Sequence, residues 1–148
     1  MTDPDAPTAA PLHRQWRSMM SVFVGGVVGT LVRYAAEKAY PVAAGGWPWA
    51  TFAVNCAGTL ILGALIAGLT AIGPDTGWRL RTRLLLGVGF CGSLTTYSAF
   101  ALESDRLLAR GDVGVGLGYV VGTVAAGLVC AAVGYVVGRG VGNRVGAR

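Results

Sequence analysis

Polar residues lie at the centre of an apolar stretch in the third quarter of the chain. Residues 89–100 read GFCGSLTTYSAF, within an apolar run (residues 84–102) long enough to cross a bilayer. Glycines and hydroxyl side chains at membrane depth favour an interrupted helix, whose freed carbonyl groups need partners. Neighbouring side-chain donors or a bound cation would supply them. A regular helix, with serine and threonine bonding back to their own carbonyls, is the alternative, and spacing alone leaves the choice open.

Other polar side chains could meet this stretch. Tyr97 and Phe100 are three residues apart and share a helical face, and Glu103 follows one turn later. Asn55 is strongly polar inside another apolar run, where an amide facing lipid would leave its donors and acceptor unpaired. We therefore expect Asn55 to face protein or a water-filled cavity, either as an interhelical hydrogen-bond partner or as a pore-lining donor.

Two further apolar runs combine small residues with polar ones. In the last run, small residues recur at every fourth position, which predicts close contact with another helix: Gly118, Gly122, Ala126, Cys130, Gly134 and Gly138. Tyr119 and Thr123 give the adjacent face two hydroxyl groups. In the first run, Gly25 and Gly29 share a face with Arg33, which lies near the end of the run, where arginine is also common as a boundary charge.

The composition indicates that membrane helices carry these residues. Of 148 residues, 53% are apolar and 13% charged, and 24 are glycine, which is unusual for a soluble domain. Four runs approach the roughly 20 apolar residues that span a bilayer: residues 18–33, 49–72, 84–102 and 113–138. We therefore expect an all-α integral membrane protein with a disordered tail at residues 1–17, a four-helix transmembrane domain at residues 18–138 and a basic C-terminal tail at residues 139–148.

The sequence disfavours several classes of function. No Asp, Glu, Lys or His lies in the middle of a predicted span, so a proton-coupled antiporter would have no titrating group. The only histidine, His13, precedes the spans, and no nucleophile and base pair, HExxH motif or phosphate loop is present; we predict that the protein is not an enzyme. The three cysteines lie in spans and should act as small hydrophobic residues. The net charge of +5 reflects arginines at span ends, so no nucleic-acid partner is expected.

Three separated motifs resemble one known family. GTLVRY in the first span, FAVNCAG in the second and GFCGSLTTYSAF in the third are similar to the CrcB/Fluc family of fluoride channels, and the resemblance extends over all four spans. It implies an antiparallel, dual-topology dimer of four-helix subunits with two pores, a broken third helix in each subunit and a structural sodium ion at the dimer interface. It also implies passive export of cytoplasmic fluoride by a multi-pass protein of the cell inner (plasma) membrane, in contact with lipid.

The resemblance further implies roles for individual residues. The carbonyl groups of Gly92 and Thr95 from both subunits would coordinate Na⁺. Fluoride would meet aromatic ring edges and neutral donors, which do not hold it as tightly as a full cation would. The residues matching the family's fluoride pathway are Asn55, Tyr97, Phe100, Tyr119, Thr123, Arg33 and Glu103. Tyr97 stands where phenylalanine is common and Thr123 where serine is usual, and Gly127 at the next turn makes the row of hydroxyl groups thinner.

The distribution of arginine and lysine predicts an orientation and a partner. Eight of these residues lie in the N-terminal tail, the loop between spans 2 and 3 and the C-terminal tail, and four lie on the other side. This bias predicts that both termini are cytoplasmic. A homodimer needs copies inserted in both orientations, so the bias favours a heterodimer with an oppositely oriented paralogue, and both assemblies stay open.

Two other functions are alternatives to a fluoride channel. One is a non-conducting structural subunit. The other is a small multidrug transporter, which is less favoured because the first span lacks a midmembrane glutamate.

Overall fold

The fold consists of four long helical spans joined by short connections. The computed structural model describes residues 16–147, and within them every regular element is helical. The elements are α1 (Trp16–Ala39), α2 (Trp49–Ile72), α3 (Gly77–Thr82), a π-helical segment (Arg83–Cys91), α4 (Gly92–Leu94), α5 (Tyr97–Ala109) and α6 (Val113–Gly146). Four candidate membrane spans result: Trp16–Ala39, Trp49–Ile72, Gly77–Ala109 and Val113–Gly146. The prediction of an all-α protein with four membrane spans is confirmed.

The helices extend further than the apolar runs. Helix α1 continues six residues past Arg33, and α6 continues through most of the segment predicted as a basic tail. Each apolar run ends at its first charged residue. The helix can continue beyond that residue because long arginine side chains extend their charged groups out of the apolar layer. Arg139 illustrates this, since its guanidinium group donates to the hydroxyl of Tyr135 one turn earlier, at 3.1 Å. Most of the predicted tail at residues 1–17 lies outside the described residues.

The third span is a succession of helical segments of different winding. A π-helical segment of nine residues precedes the short α4. Thr95 and Thr96 then have extended backbone, with φ/ψ of −77°/153° and −147°/123°. Helix α5 begins at Tyr97. The two threonines therefore lie at a point where the backbone leaves the helical conformation between two helical stretches.

Glycines allow the spans to touch through their backbones. A Cβ atom on Gly25 or Gly29 of α1 would overlap with carbonyl oxygens of the π-helical segment. On α6, a Cβ atom on Gly134 or Gly138 would overlap with carbonyl oxygens of α2. The close helix contacts predicted from the small residues are confirmed at Gly25 and Gly29 of the first span and at Gly134 and Gly138 of the last, whereas Gly118 and Gly122 face the side chain of Trp47 outside the helices. These contacts join α1 to the third span and α6 to α2.

Candidate functional site

Asn55 joins α2 to the non-helical stretch of the third span. Its Nδ2 donates to the carbonyl oxygen of Thr96 at 3.1 Å, and its Oδ1 accepts from the backbone amide of Thr96 at 2.8 Å. The structure therefore gives Asn55 interhelical hydrogen bonds, one of the two roles left open by the sequence. An amide side chain has two N–H groups, so one donor of Asn55 is left for another partner.

Backbone donors near Thr96 are diverted from their helical acceptors. In a continuous helix, the amide of Thr96 would donate to the carbonyl of Gly92, and the amide of Ala99 would donate to that of Thr95. The Thr96 amide instead bonds Asn55, and the Ala99 amide donates to Thr96 Oγ1 at 3.2 Å. Thr96 is thus the N-cap of α5. The carbonyl groups of Gly92 and Thr95 are consequently available to other partners.

A groove opens beside this stretch. It has a volume of about 300 Å³ and is lined by Asn55, Thr95, Thr96, Tyr97, Phe100, Thr123 and Val124. Four residues predicted to belong to the fluoride pathway therefore lie together, although they come from three different spans. The wall combines amide, hydroxyl and aromatic groups with an aliphatic side chain, and no residue of the lining carries a formal charge. Such a surface can offer hydrogen bonds to a small ion without a fixed counter-charge.

A row of aromatic rings runs from the groove into the protein. The ring centroids of Tyr97 and Phe100 are 6.0 Å apart, and those of Phe100 and Tyr119 are 5.4 Å apart. Tyr97 is 81% exposed in the single chain, whereas Tyr119 is fully buried. Phe100 therefore lies between an outer ring that the chain leaves uncovered and an inner ring enclosed by other residues.

Glu103 accepts two hydrogen bonds deeper in the protein. Thr51 Oγ1 donates to one carboxylate oxygen at 2.8 Å, and the Tyr119 hydroxyl donates to the other at 2.7 Å. The sequence predicted Tyr119 as one of a pair of hydroxyl groups on α6, and the structure shows that its hydroxyl hydrogen is directed to Glu103. This three-residue network ties α2, α5 and α6 together next to the aromatic row.

Thr123 supplies the second hydroxyl of that pair. Thr123 is 7% exposed, and its buried Oγ1 has no hydrogen-bond partner among the described residues. An unpaired hydroxyl in an apolar environment is costly. Because Thr123 also lines the groove, an occupant of the groove could satisfy it.

Arg33 lies apart from these residues. Its guanidinium group is 4.0 Å from the carboxylate of Glu37 on the same helix. It is not among the residues that line the groove. The structure therefore brings Asn55, Tyr97, Phe100 and Thr123 together, with Tyr119 and Glu103 adjacent, and leaves Arg33 in a local ion pair.

The roles of two residues in this region were not predicted from the sequence. Thr51 is one turn before Asn55 on α2, so the two share a face, and this spacing could have identified it. Thr96 was recognised only as part of the polar centre, although a threonine three residues before the Ala99 amide fits an N-cap. Both were overlooked because their roles depend on where the third span meets α2.

Four apolar spans, three of which line a polar groove, define a multi-pass membrane protein. Residues 20–135 match the family described as "CrcB-like protein, Camphor Resistance (CrcB)", and the chain belongs to this family. It is 40% identical over 136 residues to "Fluoride-specific ion channel FluC 2" of Leifsonia xyli subsp. xyli, covering 92% of this chain and 93% of the relative. It is 41% identical over 110 residues to "Fluoride-specific ion channel FluC 1" of Cutibacterium acnes, covering 74% and 77%. The match to "Fluoride-specific ion channel FluC" of Novosphingobium aromaticivorans is 38% over 123 residues, covering 81% and 94%. The resemblance seen in the sequence is confirmed.

Proposed function

We propose that this chain forms a fluoride-specific ion channel that exports cytoplasmic fluoride passively across the inner (plasma) membrane. Relatives that match 92% and 81% of this chain carry the name fluoride-specific ion channel. The observation that carries the proposal furthest is the uncharged groove, which gathers Asn55, Phe100 and Thr123 from three spans. Channel function needs no catalytic group, in agreement with the expectation that the protein is not an enzyme.

The groove has donors suited to a small, strongly hydrated anion. Fluoride must exchange water for other hydrogen bonds if it is to enter an apolar layer. The free N–H of Asn55 and the unpaired hydroxyl of Thr123 are neutral donors on residues that line this space. The edges of Tyr97 and Phe100 add the positive part of the aromatic quadrupole. Binding by neutral groups is weak enough to let the ion leave, which conduction requires.

Glu103 and Arg33 would act at the margins of the pathway. Glu103 holds the hydroxyl of Tyr119 at 2.7 Å and so fixes the ring that contacts Phe100. A negative charge would repel fluoride, and its two hydroxyl donors reduce that effect by hydrogen bonding to the carboxylate. Arg33 would attract anions at the membrane boundary. Its ion pair with Glu37 weakens this electrostatic attraction.

A structural sodium ion fits the non-helical stretch. The carbonyl oxygens of Gly92 and Thr95 have lost their helical donors to Asn55 and Thr96, and oxygen atoms are the ligands preferred by hard cations. Two carbonyl groups are too few to enclose an ion, so matching groups from a second subunit would complete the site. Bound there, Na⁺ would neutralise the carbonyl dipoles and join the two subunits at this point.

The exposed side of the groove supports a dimer. Tyr97 is 81% exposed at membrane depth, so a partner or lipid must cover it. An antiparallel copy would cover it and would also close the groove into a pore.

The charge distribution bears on the identity of the partner. Eight of 12 arginine and lysine residues lie on the side of the termini, which favours an oppositely oriented paralogue over a homodimer. A C-terminal tag should therefore be labelled mainly from the cytoplasmic side of the native membrane. Equal labelling from both sides would identify a dual-topology homodimer.

The experiment that tests the proposal is fluoride efflux from liposomes that contain only the purified chain. Efflux driven by a fluoride gradient, measured with a fluoride electrode, is expected. Absence of efflux, with efflux restored by an added paralogue, would indicate the non-conducting structural subunit instead. Proton-coupled transport of an organic cation without fluoride efflux would indicate the small multidrug transporter.

A further inference from the structure

Two thiol groups face each other across α2 and α6, away from the hydrogen bonds of Asn55. The side chains of Cys56 and Cys130 lie near enough to interact with each other. Both cysteines are half-buried, whereas Cys91, the third cysteine, is almost completely buried at 1% exposure. From the sequence we expected both cysteines to act only as small hydrophobic residues, and they are separated by more than half of the apolar region.

The packing of the two helices independently accounts for this contact. Spans 2 and 4 run parallel, and facing positions advance by one helical turn on both: Leu60 with Gly134, Ala64 with Gly138, and Gly68 with Gly142. Cys56 precedes Leu60 by one helical turn on α2, and Cys130 precedes Gly134 by one turn on α6, so the two cysteines occupy the next pair of facing positions. Because glycines bring the backbones into contact just beyond this pair, the helices are close where the thiols meet, as a disulfide requires.

We propose that Cys56 and Cys130 form a redox pair, and that oxidation links them by an intrasubunit disulfide between α2 and α6. The oxidant is a lipid-soluble halogen or hypohalous acid. With iodine, one thiol becomes a sulfenyl iodide and releases HI. The second sulfur then attacks it, forming the S–S bond and releasing a second HI, so two thiols lose two electrons and two protons. A thiol reductant reverses the change.

The disulfide would act on the groove. Asn55 precedes Cys56 on α2, and Thr123 lies two turns before Cys130 on α6, so the bond lies next to two helices that carry groove-lining residues. A covalent bond replaces a non-bonded contact and draws these helices together. This consequence rests on the proposed function. We expect oxidation to lower fluoride efflux and dithiothreitol to restore it.

The test counts free thiols in the reconstituted full-length chain. After iodine treatment and denaturation, maleimide labelling and intact-mass measurement should show a decrease from three thiols to one. C91A should decrease from two thiols to none, and C130A should keep both of its thiols. In the wild-type chain, a disulfide-linked peptide pair containing Cys56 and Cys130 should appear by mass spectrometry, which removes any dependence on the folding of the variants.

Retention of all three thiols, or a covalent dimer on a non-reducing gel, would overturn the redox pair. Unchanged efflux from fully oxidised protein would overturn only its effect on the groove. No fluoride efflux from the reduced protein would instead contradict the proposed function, so the two failures are distinguishable.

Discussion

Replacing Asn55 by aspartate tests whether its contact with the third span matters for conduction. Asn55→Asp keeps the size of the side chain and the acceptor for the Thr96 amide, at 2.8 Å. It replaces the donor to the Thr96 carbonyl, at 3.1 Å, with a second oxygen, and it removes the remaining N–H of a residue that lines the groove. A buried carbonyl left without its donor costs about 2 kcal/mol, which lowers the population of this arrangement by about 30-fold.

The assay is fluoride efflux from liposomes that hold equal amounts of wild-type or variant protein. We expect Asn55→Asp to lose at least this factor in efflux, because an oxygen that can carry negative charge also replaces a donor beside the anion. The matched control is Thr59→Ala, one turn away on α2, which removes only a hydrogen bond to the carbonyl of Cys56 in the same helix. Both variants should elute as assembled protein. Wild-type efflux from Asn55→Asp would refute the reasoning.

Three other predictions follow from the same contacts. Phe100→Ile keeps an apolar side chain but removes the ring edge, so efflux should be lost from protein that still assembles; normal efflux would assign Phe100 to packing alone. Gly29→Val places a side chain where a backbone carbonyl of the third span lies, so thermal unfolding should show a loss of more than about 1–3 kcal/mol. Gly127→Val is the control, because nothing lies within 4 Å of a Cβ atom at that position, and equal stability of the two variants would contradict the packing. An experimental structure of the dimer should show density on its axis with oxygen neighbours from Gly92 and Thr95 of both subunits, and a continuous hydrogen-bonded helix through this region would contradict the sodium site.

The four spans could be predicted because membrane crossing depends on a local property. A run such as residues 49–72 is apolar over the required length whatever surrounds it, and α2 has these bounds in the structure. Helices α1 and α6 extend past the predicted apolar runs, since helical hydrogen bonds continue beyond the last apolar residue. The winding of the π-helical segment was not predicted, because no spacing in residues 83–91 distinguishes it from an α-helix.

The candidate site could be predicted as a set of residues but not as a set of contacts. Asn55 was expected to avoid lipid because of its unpaired polar groups, and this argument needs no partner. Its partner, the backbone of Thr96, depends on how α2 packs against the third span, which glycines such as Gly58 allow. The hydrogen bond of Tyr119 to Glu103 likewise joins two spans, and side-chain spacing within one span cannot reveal it.

Anion selectivity tests the central claim most directly. Fluoride and chloride efflux should be measured on the same liposomes, which contain the purified chain and equal gradients of the two ions. Compact neutral donors such as Asn55 and Thr123 favour a small ion with a concentrated charge over a larger one. We predict fluoride efflux, with chloride efflux no greater than that of protein-free liposomes. Comparable efflux of the two ions would contradict a fluoride-specific channel.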